Sequence, residues 1–368
     1  MRVLFVIESM PCHRFLKEAQ ALNALGIELY MCYRKRGATI AKDADFSIFK
    51  SILTLKKRQR FFKKKLLQFI KDNRIEVIHY HNYPDRLGFQ VLNYGLKIPV
   101  VYDQHDLMSI QKTKFNRKKK YWEQYCLENA DGVVFVTEHY QKKSFELYNI
   151  RAPHIVLPNL TSQNVIKEIA SSEEKLSCQD GNIHLVWVGH INSDDTHHKC
   201  MLKSFRVLSE RGFHIHVYPT RSKEYHDYRE IANVHLHDQL SYEDMMKKIN
   251  IYDAGIAINN PYMPDKTRMY TLLHVFQNKL NDYIFAGIPA ITLNSFEPMA
   301  DYINKYEVGF TFDTLEEMTP EMIREKMPQY LTNISEKRPV LLKKINQQVE
   351  EVIALYHDLK EKKQDGTS

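Results

Sequence analysis

The chain lacks the marks of a secreted, disulfide-stapled or membrane-spanning protein. Its five cysteines (Cys12, Cys32, Cys126, Cys178, Cys200) are scattered, with no Cys-x-x-Cys pair. That excludes a disulfide framework and fits free thiols in a reducing compartment. No apolar run reaches the roughly 20 residues needed to span a bilayer. No secretory leader is expected, because Met1–Ser9 reads as a β-strand and a charge arrives at Glu8. The expected location is the cytoplasm, with a peripheral place on the cytoplasmic membrane face left open. Neither a nucleic-acid recognition module nor a metal-binding motif is apparent.

What is present bounds the answer further. A chain of 368 residues is too long for one ordinary core and suits two domains. An apolar content of 43%, with 22 Tyr and 18 Phe, is that of a globular protein. Strand patterns alternate with helical ones throughout, so the class is α/β. Charge is unevenly placed: residues 1–160 hold 28 Lys+Arg against 15 Asp+Glu, whereas the remainder is mildly acidic. A basic half joined to an acidic one suggests that the first faces something anionic.

The most informative stretch is 278–293, NKLNDYIFAGIPAITL. Asn278–Phe285 reads as the last turns of a helix with Leu280, Tyr283 and Ile284 on one face. Gly287 suits a left-handed C-cap, and Pro289 stops the helix. Ala290, Ile291 and Leu293 supply a buried strand. So tight an αβ unit places Lys279 and Asp282 near the end of an open parallel sheet, where such folds bind ligands.

The stretch resembles the donor-binding segment of glycosyltransferase family 4, NKLxEYxAxGxPVI. The family's Glu is Asp282 here, and His274, eight residues earlier, stands where a second Glu is common. The resemblance extends through most of the chain. VYDQHD (101–106) is similar to the family strand that ends in a His and an acid. ADGVVFVTEHY (130–140) is similar to its strand followed by Ser/Thr-Glu, with Thr137 the expected N-cap. HIVLPNL (154–160) is similar to the strand that closes the first domain. IHLVWVGHI (183–191) resembles the family's VGR strand with His190 for Arg. In the first turn, Met10-Pro11-Cys12-His13 replaces the usual Gly-Gly, and that loop is read either as a plain turn or as a border of the acceptor site.

This resemblance implies a GT-B fold: two Rossmann-like domains facing across a cleft, with a C-terminal helix crossing back to the first. The expected boundaries are 1–165 for the acceptor domain, 183–337 for the donor domain and 338–362 for the helix. It implies transfer of a sugar from a nucleotide-sugar donor, with retention of configuration and no essential metal or cofactor; a UDP-sugar is the first donor expected. Its site residues carry over as His105 beside the sugar and Asp106 orienting the loop or the imidazole. Asp282 would hold the ribose, and Lys279 and Lys199 the phosphates. Glu138, His190 and Asn278 are further donor-binding positions. With no evident enzymic nucleophile, a front-face route is expected, in which the leaving phosphate helps deprotonate the acceptor hydroxyl. Cell-surface polysaccharide or glycoconjugate synthesis is the expected setting. Two alternatives stand beside this: a sugar-nucleotide 2-epimerase-like GT-B enzyme, and a GT-B scaffold that supports a partner without catalysis.

The remaining features read as follows. Lys56–Asp72 is a basic helix with Phe62, Leu66, Phe69 and Ile70 on one face. It either covers the sheet with a solvated basic outside, or holds an anionic membrane surface through Lys56–Lys71. Lys112–Trp122 extends that basic, aromatic surface or is a solvated helix start. His79 and His81 share a strand face, with no further ligands at suitable spacing. FHIHVYP (213–219) and VHLHD (234–238) carry alternating histidines, expected as half-buried sheet positions rather than ligands. The loop Asp194–Lys199 is read as a loop, its irregular spacing arguing against a metal. Residues 161–182 read as a linker, Ser241 as a helix N-cap, Gly309 as a turn, Arg338–Lys360 as an amphipathic helix, and the tail from Lys362 as disordered.

Overall fold

The computed structural model describes residues 1–34, 46–55, 62–82, 84–111, 117–161, 174–220, 225–265 and 272–366. The expectations for 56–61, 112–116, 162–173 and 266–269 lie outside these residues. The chain forms two compact units, Met1–Leu160 with Lys344–Ser368, and Thr161–Lys343.

The first unit is a seven-stranded, wholly parallel sheet in the order β3-β2-β1-β4-β5-β6-β7. Its strands are β1 (Arg2–Ile7), β2 (Glu28–Arg34), β3 (Phe49–Leu55), β4 (Val77–His81), β5 (Val100–Gln104), β6 (Gly132–Phe135) and β7 (His154–Val156). Burial on both faces explains why β1 reads as an almost continuous apolar run. The order reverses between β1 and β4, and such a switch point opens a crevice at the carboxyl ends of the strands. The last part of the final helix covers this sheet: a Cβ on Gly132 would meet Leu359 at 2.8 Å, so glycine lets that helix approach.

The second unit repeats the plan with six strands in the order β10-β9-β8-β11-β12-β13. These are β8 (His184–Gly189), β9 (His214–Pro219), β10 (Val234–Leu236), β11 (Ala254–Ile256), β12 (Ala290–Leu293) and β13 (Gly309–Phe312). Its switch point lies between β8 and β11. The α/β class and doubly wound sheets are therefore as the sequence predicts.

The 278–293 stretch forms as expected, with one difference. Asn278–Phe285 is a complete eight-residue helix with Gln277 at its N-cap, not the end of a longer one. Gly287 takes the left-handed C-cap at φ 86°, and β12 follows. Tyr283 anchors the helix on the sheet. Its hydroxyl accepts from Val188 N–H at 3.1 Å, and its ring lies where any Cβ on Gly255 would clash at 2.2 Å.

Two expectations shift. The turn before β13 is made by Glu307 in the left-handed region at φ 51°, while Gly309 is already in the strand. There a Cβ would lie 2.0 Å from the Ala290 carbonyl oxygen, so Gly309 is required by packing, not by turning. The final helix spans Pro320–Gln364 and passes through Pro328 and Pro339, longer at both ends than expected. An interior proline costs about 3 kcal/mol. Buried Ile334, Leu341, Ile345, Val349, Val352 and Tyr356 form a helical stripe past both prolines that outweighs it.

Candidate functional site

At the switch point of the first unit, titratable side chains from three elements converge. The helix His13–Ala24 supplies Arg14 and Glu18, β4 supplies His79 and His81, and β5 supplies Asp103 and runs on into His105. Their meeting follows from register. His81 pairs with Asp103 across parallel strands, so the two share a face, and His79 stacks on His81 at 4.5 Å between centroids.

Asp103 is the hub. Arg14 grips it in a fork, Nε to Oδ2 at 3.2 Å and NH2 to Oδ1 at 3.0 Å. His105 Nε2 lies 3.0 Å and His81 Nδ1 3.2 Å from Oδ2. Arg14 also donates to the Leu157 carbonyl at 2.9 Å, fixing the chain after β7. Burial alone would raise the Asp103 carboxyl; Arg14 and then His105 outweigh it and hold it well below the usual carboxylate range. The same pairing acts in reverse on His105. Burial opposes its charge, but Asp103 and then Cys12 lift it to about 10, so the imidazole is protonated at neutral pH. Cys12 Sγ lies 3.8 Å from His105 Nδ1. Burial presses the Cys12 thiol upward, yet His105 brings it below its ordinary value. Glu18 goes the other way, raised by burial and then by Asp103. His79 is lowered by burial and then by His81, and its Nδ1 meets the Tyr356 hydroxyl.

Sequence reasoning found His105 but not its carboxylate. The imidazole is held by Asp103. Asp106 instead shares the loop frame: Asn82 Oδ1 accepts from the backbone N–H of His105 at 2.7 Å and of Asp106 at 3.3 Å, and Asn82 Nδ2 donates to the Asp106 carbonyl at 2.8 Å. The expectation that His79 and His81 lack further ligands is corrected as well. Glu18, His79, His81 and Asp103 each bring a ligand atom within 4.8 Å of the others. The added groups come from a helix and a neighbouring strand, invisible to linear spacing. Arg14 is the cation facing that cluster. Thr137 caps the helix Glu138–Leu147 as expected, accepting from Tyr140 N–H at 3.1 Å, and Glu138 is exposed in its first turn.

The second unit gathers cations at the carboxyl ends of β8 and β11. Lys279 Nζ is out of solvent and donates no hydrogen bond to any described residue. It sits 2.9 Å from the centroid of the Trp187 ring, a cation–π contact. Lys199, in the loop after β8, donates to Asn259 Oδ1 at 3.1 Å. Burial, then repulsion from Lys199, pushes the Lys279 amine well below its ordinary value; burial brings Lys199 down to about 8. Gly189 adopts φ 136°, and a Cβ there would come within 3.9 Å of Lys279 Nζ. His190 follows it, its ring in edge contact with His197 at 6.1 Å.

Asp282 is buried on the helix Asn278–Phe285, and its Oδ1 accepts from Thr161 Oγ1 at 3.1 Å and from the Tyr242 hydroxyl at 2.7 Å. Asn278 is the exposed first residue of that helix. Trp187 and Tyr242 escaped notice in the sequence, since an aromatic in a strand or a first helical turn reads as packing. The loop at Asp194 is organised by its own turn, Asp194 Oδ1 accepting from Thr196 N–H at 3.0 Å.

Comparison with known proteins bears on the fold. Residues 15–161 match the sequence model of Glycosyltransferase Family 4. No curated protein sequence matches the chain. Among solved structures, Anabaena Alr3699/HepE in complex with UDP is similar at 13% identity and a TM-score of 0.66, covering 96% of this chain and 100% of that one. A glycosyltransferase from Rickettsia africae is 12% identical with a TM-score of 0.63, over 97% and 98% of the two chains. Sucrose-phosphate synthase from Thermosynechococcus elongatus is 12% identical with a TM-score of 0.60, over 100% and 98%. At these identities the likeness establishes the fold, which is GT-B.

Proposed function

We propose, from the GT-B fold and the Family 4 match over 15–161, that the chain is a glycosyltransferase. It would move a sugar from a nucleotide-sugar donor to a glycan or lipid-linked acceptor, with retention of configuration, in cell-surface polysaccharide or glycoconjugate synthesis. One observation carries this reading: Lys279 and Lys199 are two repelling, desolvated amines at the switch point of the second unit, and Lys279 has no anion among the described residues. A diphosphate supplies the charge that both lack.

The chemistry follows. The anomeric C–O bond to the diphosphate breaks as the acceptor oxygen bonds the same carbon. The acceptor proton passes to the leaving phosphate. Lys279 and Lys199 stabilise the charge that develops there, the largest contribution expected in such a site. Asp282, steadied by Thr161 and Tyr242, binds the ribose, with Asn278 and His190 as neighbouring contacts. The His105 imidazolium, fixed by Asp103, donates to a sugar hydroxyl, and Glu138 faces the same substrate. No resident metal or cofactor takes part.

UDP is the favoured nucleotide, because Anabaena HepE has been solved with UDP and with UDP-glucose. The protein works at an anionic membrane face through exposed Lys63, Lys64 and Lys65. Phe62 and Leu66 are buried in the core, so this contact is electrostatic, at about 1 kcal/mol per basic residue. Salt-reversible sedimentation with phosphatidylserine vesicles is the expected result.

The deciding experiment is a metal-free thermal-shift screen with UDP, GDP, CMP, ADP and dTDP. A nucleotide at a hundred times its Kd stabilises the fold by about 2.7 kcal/mol. Selective stabilisation by UDP supports the donor site. No shift with any nucleotide would replace this reading with the non-catalytic scaffold.

A further inference from the structure

The amino-terminal ends of the second sheet carry a separate constellation. Two His-x-His pairs, His214/His216 on β9 and His235/His237 on and just after β10, lie beside His184, the first residue of β8. They are the sheet positions that their alternation predicts. Alternation on neighbouring parallel strands also puts them all on one face, with His184 and His214 at the opposite ends of β8 and β9 from His190.

The rings meet edge to edge. His184 Nδ1 is 2.9 Å from His216 Nε2, His216 Nδ1 is 2.9 Å from His237 Nε2, and His214 Nδ1 is 3.2 Å from His235 Nε2. His214 and His235 are coplanar to within 15°. The first three rings are locked. Asp180 accepts from His184 Nε2 at 3.1 Å, so a neutral His184 presents a bare Nδ1 to His216 Nε2–H. His216 then presents a bare Nδ1 to His237 Nε2–H. No carboxylate among the described residues hydrogen-bonds His214 or His235, so this pair is free to exchange tautomers. With His214 protonated at Nε2 and His235 at Nδ1, two lone pairs face each other.

We propose that His214 and His235 form a binding site for one divalent transition-metal ion of borderline softness, such as Zn²⁺, Ni²⁺ or Cu²⁺, clamping the edge strand β10 to β9. Two nitrogens bound to one tetrahedral zinc at about 2.0–2.1 Å stand about 3.3 Å apart, close to the 3.2 Å observed. His235 is exposed and His214 half-buried, so the ion enters from solvent and water completes its shell. Burial, then the neighbouring imidazoles, keeps both rings below the ordinary histidine value. The neutral imidazole is the form that ligates. The site is independent of the transfer reaction and of the cluster around Asp103.

Calorimetric titration of the full chain with Zn²⁺, and with Mg²⁺ as control, tests this. The expected result is one equivalent of Zn²⁺ bound, no heat with Mg²⁺, and a zinc-dependent rise in Tm. His235→Gln, exposed on an edge strand and so compatible with folding, should abolish that equivalent and the rise in Tm, while His154→Gln, at an exposed position in the other unit, keeps both. Nickel should behave as zinc does. Absence of stoichiometric binding in the native chain overturns the proposal. So does binding that survives in His235→Gln, which would move the ion to the Glu18–Asp103 cluster.

Discussion

The two units share a strand plan and differ in how they treat buried charge. At the first switch point, Asp103 is surrounded by Arg14, His105 and His81, and each of these three has that carboxylate as its counterpart. At the second, Lys279 rests on an indole and Lys199 on a neutral amide, with no carboxylate among the described residues bound to either amine. A closed network holds a side chain in one place and one protonation state. An open one stores a need for an anion. Under the proposed function, the contrast gives positioning to the first unit and anion capture to the second, from two copies of one architecture.

The largest effect should come from breaking the closed network. Asp103→Asn leaves the Arg14 guanidinium buried without its carboxylate, and loss of one partner of a buried pair costs about 3–5 kcal/mol. Urea denaturation should report that loss, and His105 should titrate well below its native value of about 10 in an NMR titration. Unchanged stability would mean that the network is not closed around Asp103. Lys279→Met should do the reverse. It replaces an unpaired buried amine with an apolar chain of similar length, so Tm should hold or rise. Turnover should fall by about 100–1,000-fold, the usual result of removing one donor to developing negative charge. A variant that loses stability but keeps its turnover would erase the contrast.

A pH series sharpens the same point. Lys199 sits at about 8, and burial together with Lys199 holds Lys279 well below the ordinary amine value, so the pair loses charge on the alkaline side earlier than ordinary lysines do. Affinity for a nucleoside diphosphate should fall on the alkaline side, and binding near neutrality should take up protons as Lys279 is recharged. Calorimetry in buffers of different ionisation enthalpy measures that uptake. Uptake that vanishes in Lys279→Met places it on this amine; uptake that persists would place it elsewhere.

How legible this was depended on whether a feature is local. The 278–293 turn was readable because helix stripe, Gly287, Pro289 and strand follow one another within a few residues. His105 was readable as a polar tip on an apolar strand. Asp103 was not, because on sequence alone it is one more polar residue in that tip. Only the register of β5 against β4 sets it facing His81. Arg14 and Glu18 are separated from Asp103 by more than eighty positions, and their i, i+4 spacing is common on any helix. Trp187 looked like core. Pro328 and Pro339 looked like stops, because the long buried stripe that carries the helix past them is visible only when its packing is known.

The smallest effect tests whether the two scaffolds are equivalent where their charge is not involved. Each unit starts a helix with a side-chain cap at the same distance: Thr137 Oγ1 accepts from Tyr140 N–H and Ser241 Oγ from Asp244 N–H, both at 3.1 Å. Replacing either by alanine should cost about 1 kcal/mol. Ser241→Ala should cost slightly more, since its hydroxyl also donates to Asp244 Oδ2 at 2.7 Å. The functional consequences should differ. Tyr242, next to Ser241, holds Asp282 through its hydroxyl, so a loosened helix start should weaken nucleotide binding. Thr137→Ala leaves Asp282 untouched and should leave that affinity unchanged. Equal loss of affinity in both variants would mean that the caps act only through global stability, and that Tyr242 does not position Asp282 for the nucleotide.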